Sequence, residues 1–222
     1  MPRKFQASYT SRIALNLVKA KLIESGAIRF CPDETVCLSS GLITPVKIDN
    51  HVFLSNAADW RDLTELMQSR IDENCLAPDV IVGTDYSSAM QAQAVAFRMG
   101  LPAAVVHLGV NPPEKMKVEG ATVAGKRVLL VTDHIATGHT CRRAVEILRE
   151  EGADVREVLT VTNFDFPETR KLFDNLCLNL IAVMPVVSVL ETAYQKGAVT
   201  QKQKEEIAEW LINPTFAQAL KK

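Results

Sequence analysis

Residues 128–140 read VLLVTDHIATGHT: four apolar residues, the polar break Thr132-Asp133-His134, then a loop of small residues, Thr137-Gly138-His139-Thr140. An amphipathic segment over residues 141–151 follows at once. The apolar run is continuous rather than alternating, as a strand covered on both faces requires. In an open α/β sheet, ligands bind beyond the carboxyl ends of the strands, and a small-residue loop that opens a helix offers free backbone N–H groups to an anion. Thr137 and Thr140 add hydroxyl donors. Asp133 suits a different partner, because a carboxylate repels phosphate but accepts hydrogen bonds from vicinal sugar hydroxyls. Together these residues describe a reader of ribose 5-phosphate. On spacing alone, Asp, Thr and Gly serve equally well as ordinary turn and helix-start residues.

Outward from this stretch the pattern predicts alternation. Helical periodicity covers residues 59–74, 87–99 and 141–151, and strand-like runs cover 79–82, 103–107, 127–131, 155–161 and 178–184. Strands alternating with helices of this length predict an α/β fold with a central, mainly parallel sheet flanked by helices. Before it, residues 11–25 read as an amphipathic helix stopped by Gly26, followed by short strands at 27–30, 35–38 and 45–49. Thr200 with Gln203 forms a capping box before a closing helix. Residues 108–126, rich in Gly and Pro, are too long for a tight turn and read as a flexible loop. The organisation expected is a single domain over 1–222: an N-terminal helix and hood strands to residue 55, then the core sheet and C-terminal helix from 56.

Composition narrows the function. Twenty-five Lys and Arg against 26 Asp and Glu give a net charge of −1, with no basic run to attract a nucleic acid. The five cysteines are scattered, with no C-x-x-C pair, so neither a disulfide framework nor a zinc site is expected, and a reducing cytoplasm is the simplest home. The most apolar window, residues 176–190, is broken by Asn179, Pro185 and Ser188, and no membrane span is expected. There is no G-x-x-x-x-G-K-[ST] and no G-x-G-x-x-G after a strand, so P-loop and dinucleotide readings lack their mechanical parts.

VLLVTDHIATGHT resembles the phosphoribosyl-pyrophosphate motif of type I phosphoribosyltransferases: four apolar residues, two acids, two apolar residues and a Thr-Gly phosphate loop. Three further segments resemble the orotate phosphoribosyltransferases in particular. LSSGLITPVKIDNH at residues 38–51 is similar to that family's Leu-Lys-Ser-Gly segment and its continuation, GTDYSSAMQAQAVAFRMGLP at 83–102 to its pyrophosphate loop and following helix, and VEGATVAGKRVLLV at 118–131 to its approach to the motif strand. The resemblance spans roughly residues 10 to 165 and implies the type I fold, with a small hood built largely from the N-terminal region.

It also implies a reaction: a nitrogenous base, orotate or a relative, displaces magnesium pyrophosphate from C1 of 5-phosphoribosyl 1-pyrophosphate. By position, Asp133 would hold the ribose hydroxyls together with Thr132, and Ala136, Thr137, Gly138, His139 and Thr140 would hold the 5-phosphate. Thr84, Asp85 and Tyr86 would line the pyrophosphate, and Lys115 or Lys117 would neutralise it during catalysis. Ser40, Gly41 and Lys47 would meet the base. Mg2+ would ride on the substrate rather than in a protein cage, and a homodimer is expected, the flexible loop serving the neighbouring subunit.

Several positions depart from the family pattern. The first acid is Thr132, the lysine before Ser-Gly is Ser39, and the family's Tyr and Arg of the next segment are Lys47 and His51. Ser87 and Ser88 follow Tyr86, His107-Leu108 replaces an Arg-Lys pair, and Asn163-Phe164-Asp165 stands where an arginine packs near the base. These changes motivate a second expectation of another class, a non-catalytic descendant binding a nucleotide or phosphoribosyl ligand as sensor or scaffold.

Overall fold

The computed structural model describes residues 2–38, 40–108 and 117–216, with side chains apart from those of 2–12, 85–87 and 216. Helix α1 (Pro2–Glu24) leads into four short strands, β1 (Ile28–Phe30), β2 (Val36–Cys37), β3 (Leu42–Thr44) and β4 (Val46–Ile48), and a 3-10 turn, Asn50–Ser55. The core then runs α2 (Ala57–Glu73), β5 (Val80–Thr84), α3 (Asp85–Met99), β6 (Ala103–Val106), β7 (Val118–Gly120), β8 (Arg127–Ile135), α4 (His139–Glu150), β9 (Asp154–Asn163), α5 (Pro167–Asn175) and β10 (Asn179–Pro185). Helices α6 (Val186–Gln195) and α7 (Gln201–Ile212) and strand β11 (Thr215–Phe216) follow.

The main sheet has the order β10-β9-β8-β5-β6-β7, with β10 to β6 parallel and β7 antiparallel at the edge. Alternate residues of its central strands serve two different cores. Ile81, Leu129, Val131 and Leu159 pack with Val18 of α1, Met67 of α2 and Val189 of α6, whereas Val80, Val82, Leu130 and Val158 pack with Val145 and Leu148 of α4 and Phe173 of α5. Both sets are fully or almost fully buried, which is why VIV and VLLV carry no polar alternation. Each such side chain contributes about 1.5–3 kcal/mol on burial.

The hood is two small sheets, β1 with β4, and β11-β3-β2. Its second sheet needs the C-terminus: β11 pairs with β3, and Trp210 of α7 donates from Nε1 to Ile43 O at 3.0 Å. Trp210 also meets Phe164 and Phe166 edge-on, at 5.8 and 5.5 Å between ring centroids. The capping box at Thr200 and Gln203 is present.

Several elements differ from the sequence reading. β3 follows Gly41 at once and is too short to show a period. β7 interrupts the stretch read as a single loop, held to β6 by pairs such as Val105 with Glu119. α5 begins on Pro167, a residue suited to a first helical turn. α6 was hidden in the apolar window after Pro185, where a buried strand and a buried helix cannot be told apart by periodicity.

Candidate active site

The chain leaves β5 for β6 through α3, and leaves β8 for β9 through α4, in the opposite direction along the sheet. Strand order therefore reverses between β5 and β8, and a crevice opens at their carboxyl ends. A cavity of about 300 Å³ lies there, lined by Thr84 of β5, by Thr132, Asp133 and His134 of β8, by residues 136–140, and by Leu38 and Ser40 from the hood. A larger cavity, about 440 Å³, sits at the other end of the strands beside Arg127 and Arg156. Its guanidinium groups are paired, Arg127 with Asp79 at 3.1 Å and Arg156 with Asp154 at 2.8 Å.

One wall of the smaller cavity is the start of α4. Its N-cap, Gly138, has φ 79° and no side chain to cap the helix, so the N–H groups of His139, Thr140 and Cys141 have no intrahelical partner and carry the positive end of the helix dipole. Glycine is required at this position twice over. The backbone is left-handed, and a Cβ would stand 3.1 Å from both Leu172 Cδ2 and Phe173 Cε2 of α5. The loop is tied from below, where Thr169 Oγ1 donates to Ala136 O at 2.8 Å.

The other wall is Asp133, held by three neighbours. Ser88 Oγ lies 3.4 Å from Asp133 Oδ1 and accepts from Asp133 N at 3.2 Å, and Thr84 Oγ1 donates to the same Ser88 Oγ at 3.2 Å. Asn50 Nδ2 donates to Asp133 O at 3.0 Å, linking the 3-10 turn to β8. His134 Nδ1 lies 3.1 Å from Asp133 Oδ2. Burial pushes the Asp133 carboxyl up, but the hydrogen bonds and charge of His134 outweigh it and hold it below the usual carboxylate range. Burial lowers His134 in turn, and the bond and charge of Asp133 raise it above the usual imidazole range. Thr132, where the family has its first acid, is buried, and its Oγ1 has no partner among the described residues.

The structure thus gathers Thr84, Thr132, Asp133, Ala136, Thr137, Gly138, His139, Thr140 and Ser40 around one cavity. Lys47 lines a second, adjoining cavity and pairs with Glu34 at 3.1 Å, and Gly41 turns the chain between Leu38 and β3. Asp85 and Tyr86 open α3 beside Thr84, with their side chains outside the description. Lys115 and Ser39 lie outside the described residues. Lys117 is not brought in. It pairs with Glu150 at 2.9 Å, at the far end of α4, roughly 16 Å along the helix from the phosphate loop. His107, at the position of the missing Arg-Lys pair, pairs with Glu119 at 3.0 Å.

Ser88, Asn50 and Thr169 were not among the residues picked from sequence. Ser88 carried a signal, since it stands four residues after Thr84 and so faces the same way at the head of α3. Asn50 lies 83 residues from its partner and carried none. Among the described residues no three His, Cys, Asp or Glu side chains are placed to hold a metal ion.

Residues 53–196, more than half of the chain, match the family model described as the phosphoribosyl transferase domain. The chain belongs to this family. Among curated relatives it is 26% identical over 198 residues to the orotate phosphoribosyltransferase of Bacillus mycoides, covering 89% of this chain and 94% of that one. The Listeria innocua enzyme of the same name is 27% identical, with 89% and 95% covered. The fold matches the solved structure of Leishmania donovani UMP synthase (TM-score 0.78, 23% identity), covering 88% of this chain but only 42% of that one. It also matches Aeropyrum pernix orotate phosphoribosyltransferase (TM-score 0.71, 22% identity, 82% and 99% covered). The protein is a type I phosphoribosyltransferase, most similar to the orotate branch, and the gathered cavity is where the family expectation places its sugar phosphate.

Proposed function

We propose that this phosphoribosyltransferase transfers the 5-phosphoribosyl group from 5-phosphoribosyl 1-pyrophosphate to a pyrimidine base, orotate or a close relative, and releases pyrophosphate. The observation that carries the reading is the single cavity that sets the uncapped start of α4 against the Asp133 carboxylate. Free N–H groups take the 5-phosphate, with Thr137 and Thr140 adding donors, and Asp133 accepts from the ribose hydroxyls. The orphaned Thr132 Oγ1 supplies a neutral acceptor for the same hydroxyls. Thr84, Asp85 and Tyr86 border the departing pyrophosphate, which brings Mg2+ with it as part of the substrate.

In the step itself a base nitrogen gives up its proton to solvent and forms a bond to C1 while the bond from C1 to the pyrophosphate oxygen breaks, and that bond's electron pair leaves with pyrophosphate. Stabilising that charge falls to Lys115, with Lys117 available once it leaves Glu150. That pair is exposed, and exposed ion pairs are readily exchanged.

The test is pyrophosphate release from magnesium 5-phosphoribosyl 1-pyrophosphate against a panel of bases including orotate, with melting temperature followed in parallel. Release with one pyrimidine is the expected result. A ligand-induced melting shift without release from any base would instead make the protein a binder of phosphoribosyl compounds, and the absence of both signals would overturn the site assignment.

The active form is a homodimer in this reading. On α3, Phe97 is 88% exposed and Met90, seven residues earlier and hence on the same face, is also exposed. A large exposed aromatic beside a second apolar side chain suits a second copy of the chain. Phe97→Asp is expected to halve the mass seen by light scattering while leaving the fold intact; a wild-type protein that runs as a monomer would refute the dimer.

A further inference from the structure

His134 and Leu38 are the two residues that line both the phosphoribosyl cavity and a second cavity of about 210 Å³ under the hood. The second cavity is walled by Val36, Val46, Ile48 and Phe164, with Lys47 at its edge. Thr44 also lines it, but its hydroxyl is occupied, donating to Val46 O and accepting from Val46 N at 3.0 Å each. An apolar slot beside a sugar-phosphate site has the shape and chemistry for a flat heterocycle.

His134 is the polar group between the two. An ionised carboxylate only accepts, so the contact of Nδ1 with Asp133 Oδ2 at 3.1 Å fixes the proton on Nδ1. Nε2 is then the free polar atom of the ring, and it has no partner among the described residues. The ring is about one-third exposed (34%), its carboxylate partner half that (18%). A ring held at one nitrogen by a group that is itself fixed by Ser88 and Asn50 is preorganised to present the other.

We infer that His134 determines base specificity: as the doubly protonated ring of an ion pair with Asp133, it donates from Nε2 to an acceptor oxygen, ring carbonyl or carboxylate, of a heterocyclic base seated in the hood cavity. This rests on the reading of the neighbouring cavity as the phosphoribosyl site. It couples the two halves of the ligand, because the carboxylate that meets the ribose hydroxyls also sets the ring that meets the base.

The test is calorimetric binding of ribose 5-phosphate and of the 5′-monophosphates of orotidine, uridine and adenosine to the wild type, His134→Leu and His134→Gln. In the wild type at least one nucleotide binds more tightly than ribose 5-phosphate. His134→Leu is expected to weaken that nucleotide about tenfold more than it weakens ribose 5-phosphate, the effect of losing one hydrogen bond of this kind. His134→Gln, which keeps a donor, recovers part of the loss. Equal losses for both ligands would show that His134 only positions Asp133, and no loss for the nucleotide, or no nucleotide preference in the wild type, would also overturn the inference while leaving the sugar site standing. A wild type that binds none of the four ligands would sink the phosphoribosyl reading itself.

Discussion

Asp133→Asn is expected to weaken binding of ribose 5-phosphate by about tenfold to a hundredfold, the cost of turning charge-assisted hydrogen bonds to the sugar into neutral ones. The substitution keeps the size of the side chain and its bond from Asn50, which goes to the main chain. What changes is the charge, and that change has a second readout. His134 is raised above its ordinary value of 6.5 by Asp133 alone, against a burial effect that lowers it. Without the carboxylate only burial remains, so the imidazole titration followed by NMR should move from above 6.5 to below it. The sign for stability follows from both partners. A raised histidine contributes fully below its unfolded value of 6.5 and loses that contribution as pH rises through its folded value. A depressed aspartate contributes fully above its unfolded value of 3.8 and loses it as pH falls. The wild type's advantage from this pair should therefore be greatest between about 3.8 and 6.5 and shrink on either side. An imidazole midpoint that does not move in Asp133→Asn would show that the two groups are not in contact in solution.

Gly138→Ala carries the other large effect. The position has φ 79°, where a Cβ costs about 1–2 kcal/mol by itself, and the added methyl would press on Leu172 and Phe173 at 3.1 Å. Phe173 is buried and packed against α4 and β8, so it cannot step aside without opening that core. The loop must rotate instead, and the N–H groups of His139 to Cys141 turn away from the cavity. We expect a loss of more than tenfold in ribose 5-phosphate affinity together with a lower melting temperature. Thr169→Val separates the two effects, since it removes the bond to Ala136 O but leaves Gly138 and its φ untouched, and should cost less in affinity. Wild-type affinity in Gly138→Ala would mean that the phosphate is bound elsewhere.

Much of this site could be read in the chain because its parts are local. A doubly buried strand, a polar break and a small-residue loop opening a helix occupy thirteen consecutive residues, 128–140, and their geometry follows from short-range backbone preferences. Thr84 came from the family resemblance alone, since the strand read from the sequence stopped at residue 82 and the structure carries it to Thr84. The hood was less legible. Strands of two or three residues show no period, and β3 owes its place to partners on both sides, one of them β11 from the far end of the chain. Lys117 illustrates a different limit. Nothing in its neighbourhood in the chain shows that this lysine rests on Glu150, 33 residues away, a separation over which sequence spacing says nothing.

The sequence by itself determined the class of fold and the strand, polar break and small-residue loop that open α4, because periodicity, helix-start chemistry and residue type act within a few residues of one another. Tertiary structure decided which groups meet. It brought Ser88 and Asn50 to Asp133 across 45 and 83 residues and set Thr169 beneath the phosphate loop. It also placed His134 on the wall between a polar cavity and an apolar one. Those relations depend on how α3, the hood and α5 pack on the sheet, and packing is a property of side chains distant in the chain that only the folded molecule brings within hydrogen-bonding reach.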